Sequence, residues 1–406
     1  MALRKVAVYV FKYSAPSILS FGALSRGELY FASAEELNDG SECRPRYILK
    51  GSAELWTRLA DMLLVDAVAL SAMPSAEAAT RLGRFAKPLG RALHAKAGKR
   101  DLDFEQLGPA IGSVLPRLLH DAQLGPATES VMALVLQACA RARMHLDEPA
   151  YIASLTTTPR DPTMWGHYAG ADRGFAIMLH APKGKLRIHS PLDVFDVCRA
   201  TEGGGPMVVG PYTEAEVELQ PVLYRVAPQR FNAFHRLIYH FNYSEAEEHY
   251  DVPLLLPGDA PTKKENQYGL VKAKTWKYEQ EVRALLPTYQ KLTPEQRCTN
   301  YDRSQLAGLV FGPKMSEADK ARAVMCCHKL RVTTAGQEPP TTPFVFLQAR
   351  QQVSSFEMEI TGAGVLDPTY YGGNSPLRPM AALSKTAAAT VESLLRSLCT
   401  APSVSR

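Results

Sequence analysis

The densest run of chemically capable side chains is Trp276-Lys277-Tyr278-Glu279-Gln280-Glu281-Val282-Arg283. Read as a strand, its period of two sets Glu279, Glu281 and Arg283 on one face, with Tyr278 and Val282 on the other. Carboxylates on neighbouring same-face positions repel, so one acquires a raised pKa unless Arg283 or Lys274 offsets it. In a cleft that arrangement suits acid–base work. On a solvent-facing edge strand it is an ordinary Glu–Arg pair worth about 0–1 kcal/mol. The segment alone leaves both readings open.

Three further clusters stand out. Thr163-Met164-Trp165-Gly166-His167-Tyr168-Ala169 sits on a helix predicted from Pro162 to Ala171, where Trp165 and Tyr168, three apart, share a face. His167 there suits a phosphate contact, a base or a structural role. Phe11-Lys12-Tyr13 ends a predicted first strand, and Lys12 suits either an anionic ligand or a snorkelling surface position. Asn38-Asp39-Gly40-Ser41-Glu42 has the composition of a turn.

The elements that would position these residues are legible from texture. Strands are expected at 4–13, 27–32, 151–156, 174–179, 217–226, 274–286, 308–311, 344–348 and 356–360. Helices are expected at 17–24, 231–250, 316–329 and 387–398, with Ser316 capping the third and Asp319 completing its box. From Ser52 to Leu146 β-branched residues thin out, and prolines 74, 88, 109, 116 and 126 divide the stretch into about five helices. The predicted organisation is an α+β core over 1–51 and 147–360, an α-helical insertion over 52–146, and a tail over 361–406 with one short helix. The region 199–216, which includes Gly203-Gly204-Gly205-Pro206, reads as a loop.

Composition narrows the class. The chain has 406 residues, 46% hydrophobic and 21% charged, which excludes disordered, collagenous and disulfide-stapled proteins. No apolar run reaches membrane-spanning length and no leader is evident, so a cytoplasmic protein is expected. A net charge of +5 permits an anionic partner without requiring nucleic acid. Arg81, Arg84, Lys87, Arg91, Lys96, Lys99 and Arg100 fall within twenty residues of the helical block and read either as a solvated helix face or as a nucleic-acid contact. The seven cysteines lack metal-ligand spacing, His235, His240 and His249 are not spaced as a zinc pair, and no phosphate loop or nucleophile elbow is present. No metal is expected.

Taken in order, Lys12-Tyr13, Asn38-Asp39-Gly40-Ser41-Glu42, Met164-Trp165-Gly166-His167-Tyr168-Ala169 and Trp276-Lys277-Tyr278-Glu279-Gln280-Glu281-Val282-Arg283 resemble the large, mainly bacterial family named domain of unknown function 2971. Gly40 and Ser41 depart from that family's Pro-Phe. The resemblance covers about residues 9–50 and 151–330. A weaker fold-level likeness to ADP-ribosyltransferases comes from the order Lys12-Tyr13, Ser154-Leu155-Thr156, Glu279-Gln280-Glu281. It implies a mixed or antiparallel β core, NAD as substrate, and an oxocarbenium-like transition state faced by a carboxylate.

On that likeness Glu281 and Glu279 are the expected catalytic residues. Lys12, Tyr13, Ser154, Trp165, His167, Tyr168 and Arg283 are the expected cofactor contacts, supported by Asn38, Asp39, Glu42 and Trp276. The acceptor would be a protein or nucleic acid, and the role toxin or defence. The alternative is a non-catalytic module holding a nucleotide or peptide in the same cleft, with a partner docked on the helical block. The residues are expected to converge in one cleft, and Glu281→Gln to leave folding nearly intact, because an unpaired cleft carboxylate is a liability.

Overall fold

A computed structural model describes residues 9–71, 76–98, 101–121, 128–146, 150–200, 207–234, 237, 269–288, 290–332, 344–367 and 375–399. The described residues divide into two compact units, one within 1–43, 149–226 and 269–406, the other within 44–148 and 227–268. Both helices and strands are abundant, so the fold class is α+β.

The first unit is built on a ten-stranded mixed sheet. Its order runs Gln220–Pro221, Glu281–Leu285, Tyr151–Thr156, Tyr9–Ser14, Phe175–His180, Leu306–Phe311, Val345–Gln351, Met358–Leu366, Leu377–Pro379, with Ala32–Ser33 also pairing with Tyr151–Thr156. Leu306–Phe311 and Val345–Gln351 are parallel, while the other neighbours are antiparallel.

Both faces of the sheet are covered, which is why Phe175–His180 reads as an unbroken apolar run rather than an alternation. On one face Val10, Ile177 and Leu309 pack with Phe21 and Leu24 of helix Ile18–Arg26 and with Val324 and Leu330 of helix Glu317–Val332. A four-stranded sheet (Glu214–Glu218, Lys185–His189, Cys298–Tyr301, Glu28–Tyr30) joins that core through Val217, Ile188, Tyr301 and Leu29. On the other face Phe11, Tyr13, Met178 and Val310 pack with Trp165 of helix Pro162–Tyr168 and Val391 of helix Lys385–Cys399.

Local signals place the helix ends. Ser17 caps helix Ile18–Arg26 with a capping box, and Gly27 closes it at φ +72°, where a side chain would be strained. Asp161 caps helix Pro162–Tyr168, its Oδ1 accepting from Thr163 N at 2.8 Å, with Pro162 at the first helical position.

The second unit carries helices Ala53–Ala69, Ala76–Gly83, Ala86–Ala97, Leu107–Asp121 and Thr128–Leu146, with a three-stranded sheet of Arg230–Asn232, Arg46–Leu49 and Leu102–Asp103.

Several sequence expectations need correction. Pro88, Pro109 and Pro116 do not divide helices. Pro88 and Pro109 lie in first turns, where the missing N–H has no helical partner, and Pro116 lies inside Leu107–Asp121. The stretch 217–226 is not one strand but parts of three, Glu214–Glu218, Gln220–Pro221 and Leu223–Arg225. Residues 230–232, where a helix start was expected, form a strand beside Arg46–Leu49. Strand Met358–Leu366 runs across the boundary expected at 360. The loop expected over 199–216 is largely strand where it is described, because Met207–Tyr212 folds back antiparallel on Phe195–Ala200 and Glu214–Glu218 pairs with Lys185–His189. Residues 4–8 and 201–206, His235, His240, His249 and most of the predicted helix 231–250 lie outside the described residues.

Candidate functional site

The expected strand 274–286 is two elements. Lys274–Glu279 is a 3-10 turn, Gln280 turns through the left-handed region at φ 44°, and only then does strand Glu281–Leu285 begin. The reason is long-range strand pairing. Strand Val271–Ala273 pairs with Leu223–Arg225, strand Glu281–Leu285 pairs with Tyr151–Thr156, and the turn joins the two. Glu279 and Glu281 nonetheless meet, through a shared cation rather than through the pleat.

That cation is Lys272. Its Nζ lies 2.6 Å from Glu279 Oε2, 3.0 Å from Glu42 Oε1 and 3.3 Å from Glu281 Oε2. Arg283 closes the network from the other side. Its Nε donates to Glu281 Oε1 at 2.7 Å and its Nη2 to Glu281 Oε2 at 3.0 Å and to Glu42. Its Nη1 donates to the Gly269 carbonyl at 2.5 Å. Ser154, opposite Arg283 in the ladder, also favours the charged form of Glu281 through its side chain. Lys12, on the adjacent strand, donates to the Ser154 carbonyl at 3.1 Å.

Glu281 is 5% exposed and Arg283 0%. The expectation of an unpaired, cleft-facing Glu281 is therefore corrected, because both its oxygens are held by cations and Glu281→Gln removes a buried ion-pair partner. Lys274, expected to compensate the carboxylates, is exposed.

The electrostatics separate the two carboxylates. Burial pushes Glu281 up, but Arg283 and Lys272 outweigh it and hold the group down at about 2. Burial dominates at Glu279, which is raised despite hydrogen bonds from Lys272 and Tyr168. Burial lowers Lys12, partly offset by Glu281.

Glu279 also connects the network to the surface. Tyr168 donates to Glu279 Oε1 at 2.5 Å, and exposed Asn38 donates to the Tyr168 hydroxyl at 2.5 Å. From there a row of rings extends. His167 lies 6.1 Å from Tyr168 and 6.0 Å from Tyr278, and Tyr278 lies 6.0 Å from Trp276, centroid to centroid. His167 Nδ1 is 3.1 Å from the Tyr278 hydroxyl. Lys272 lies 4.9 Å from the Trp276 ring centre, a cation–π contact. His167 is exposed, and Tyr168, Trp276 and Tyr278 are half-buried.

Asp39 turns the Asn38–Glu42 segment. Its Oδ1 accepts from Ser41 N at 2.9 Å and its carbonyl from Glu42 N at 2.9 Å, which carries Glu42 inward.

Two expected contacts belong to the core instead. Trp165 is 0% exposed and spends its indole N–H on the Pro159 carbonyl at 2.8 Å. Tyr13 is buried edge-on against it, centroids 4.8 Å apart. Neither offers a face to a ligand. Sequence reasoning missed Lys272 and Tyr224, whose hydroxyl accepts from Glu281 N at 2.8 Å. Val271-Lys272-Ala273 gave no signal for Lys272, because a lysine between two apolar residues reads as solvent-facing, whereas here the middle residue is the buried one.

A cavity of about 300 Å³ opens elsewhere in this unit, lined by His180, Lys185, Arg187, Glu216 and Gln305 among others. None of the motif residues lines it, and Lys185 and Arg187 are paired with Glu216 and Asp302. Among the described residues, no group of His, Cys, Asp and Glu is arranged to hold a metal ion, and no helix is long and apolar enough to cross a membrane.

Residues 164–284 match the family described as "Protein of unknown function (DUF2971)". The match brackets both Met164–Ala169 and Trp276–Arg283, so the resemblance to that family holds over the segment that carries the ring row, Lys272 and three of the network's charged groups. No curated protein and no solved structure matches the chain.

Proposed function

We propose that the protein binds a nucleotide, stacking its planar ring on the rim formed by Trp276, Tyr278, His167 and Tyr168. The observation that supports this is the row of accessible rings fixed at both ends to a buried ion network, by Lys272 at Trp276 and by Glu279 at Tyr168. Rings packed against one another and held from below are pre-organised, so little ordering cost falls on binding. The test uses intrinsic fluorescence. Of the three tryptophans, Trp56 and Trp165 are buried and Trp276 is half-exposed. AMP or NAD should therefore quench Trp276 selectively. Trp276→Phe should abolish the quench, and Tyr278→Ala should weaken affinity about 5- to 100-fold, the range for losing one stacking partner. Absence of any quench by either nucleotide would sink the reading.

A second reading, ADP-ribosyl transfer from NAD, draws on one specific feature. Glu279 is the carboxylate that burial makes easier to protonate, and it contacts Tyr168 at the rim. In this reading Glu279, not Glu281 with both its oxygens held by Arg283, faces the developing positive charge on the ribose or takes the acceptor's proton. Glu279→Gln should then lower nicotinamide release about 100-fold, with nucleotide quenching retained. No nicotinamide release by the unmodified protein would exclude transfer and leave the binding reading standing.

A further inference from the structure

Helix Ala86–Ala97 of the second unit buries Ala86, Leu89, Gly90 and Leu93. Gly90 makes this docking close. A Cβ there would stand 2.4 Å from Thr57 Cα and 2.8 Å from the Trp56 carbonyl carbon, so the helix lies directly on the backbone of Ala53–Ala69. Its orientation is thereby fixed, and so is its outward face.

That face is unusually basic. Arg84, in the turn just before the helix, and Lys87 and Arg91, one turn apart on it at i, i+4, are exposed. No Asp or Glu occurs between Arg81 and Arg100. Elsewhere in the unit, Arg46, Arg58, Arg141, Arg143 and Arg230 each pair with a carboxylate. Among the described residues no ion pair joins Arg84, Lys87 or Arg91 to an acid, although Asp61 comes close to Gly83. The arrangement also works against the helix. Lys87 sits at the positive end of the helix dipole, and Lys87 and Arg91 repel at i, i+4.

We infer that this stripe is a docking surface for the phosphodiester backbone of a nucleic acid. Charge complementarity carries the assignment. Lys87 and Arg91 rise about 6 Å along the axis, and a duplex offers one negative charge per about 1.7 Å, so an anion is in reach of each cation. A membrane surface fits poorly, because the helix's apolar side is buried in its own unit and cannot insert. A protein partner fits poorly as well, because the exposed neighbours Pro88 and Ala95 supply no aromatic or aliphatic anchor.

The test measures anisotropy of fluorescein-labelled 30-mers, one duplex DNA and one single-stranded RNA, with the full chain between 50 and 200 mM salt. Three phosphate contacts predict a log–log salt slope near −2.7 on duplex, roughly a 40-fold loss of affinity over that range, and about −2.1 on the single strand. The triple variant R84Q/K87Q/R91Q should lose the slope and most of the binding on whichever probe binds. Its circular dichroism should match the unmodified chain, since among the described residues the stripe makes no ion pairs. A control variant neutralising exposed cations elsewhere, R117Q/K183Q/K385Q, should keep the slope. No binding to either probe, an unchanged slope in R84Q/K87Q/R91Q, or equal binding to a poly-glutamate 30-mer would each overturn the assignment.

Discussion

Arg283→Met is expected to cost about 3–5 kcal/mol of stability, read as a lower urea midpoint. The guanidinium is 0% exposed and has four hydrogen bonds, to both oxygens of Glu281, to Glu42 and to the Gly269 carbonyl. Methionine fills much of the same volume but leaves two buried carboxylates with only Lys272 between them and Glu279. The penalty is the uncompensated charge, not lost packing. R283M/E281L/E42L should therefore recover most of the loss, because the remaining Lys272–Glu279 pair is electrically balanced. A loss below about 1 kcal/mol in the single variant would show that the network opens to water and that the site is a wet cleft rather than a closed floor.

How far the sequence reveals this site depends on the kind of interaction. Strand Tyr151–Thr156 and the helix starts after Pro16 and at Pro162 are legible because β-forming composition and proline placement are local. Trp165, His167 and Tyr168 are adjacent in sequence, yet one is core, one solvent-facing and one a hydrogen-bond relay. Helical position alone does not settle that, because the sheet beneath decides which side is inside. Glu279 and Glu281 were grouped for a reason that fails, a continuous strand, and meet for one that no local pattern encodes. Lys272 reaches them across the left-handed turn at Gln280, a residue type with no strong preference for that conformation. The long-range partner Glu42, from a turn more than two hundred residues earlier, brings a third carboxylate to the two cations Lys272 and Arg283.

The same ion network sets how the protein responds to acid. Glu281 sits at about 2 in the folded chain against an ordinary 4.5. Its ion pairing thus contributes stability that is fully present above about pH 4.5 and is lost as the pH falls toward 2, worth about 3 kcal/mol in all. Glu279 has the opposite sign. Its raised value means the folded chain takes up that proton first, so stability from this group grows as the pH drops through its folded pKa. Glu36, held at about 2 by Arg297, titrates in the acid window too, but it is exposed and solvent screens it. Subtraction isolates Glu281. The stability difference between the unmodified chain and Glu281→Gln, from urea unfolding, should be about 3 kcal/mol at pH 6 and shrink toward zero at pH 2. The difference for Glu279→Gln should instead move in favour of the unmodified chain as the pH falls through the raised folded pKa of Glu279. A Glu281→Gln difference that stays flat across the range would mean that the carboxylate is not held by Arg283 and Lys272 in solution. The closed network beneath the aromatic rim would then have to be abandoned.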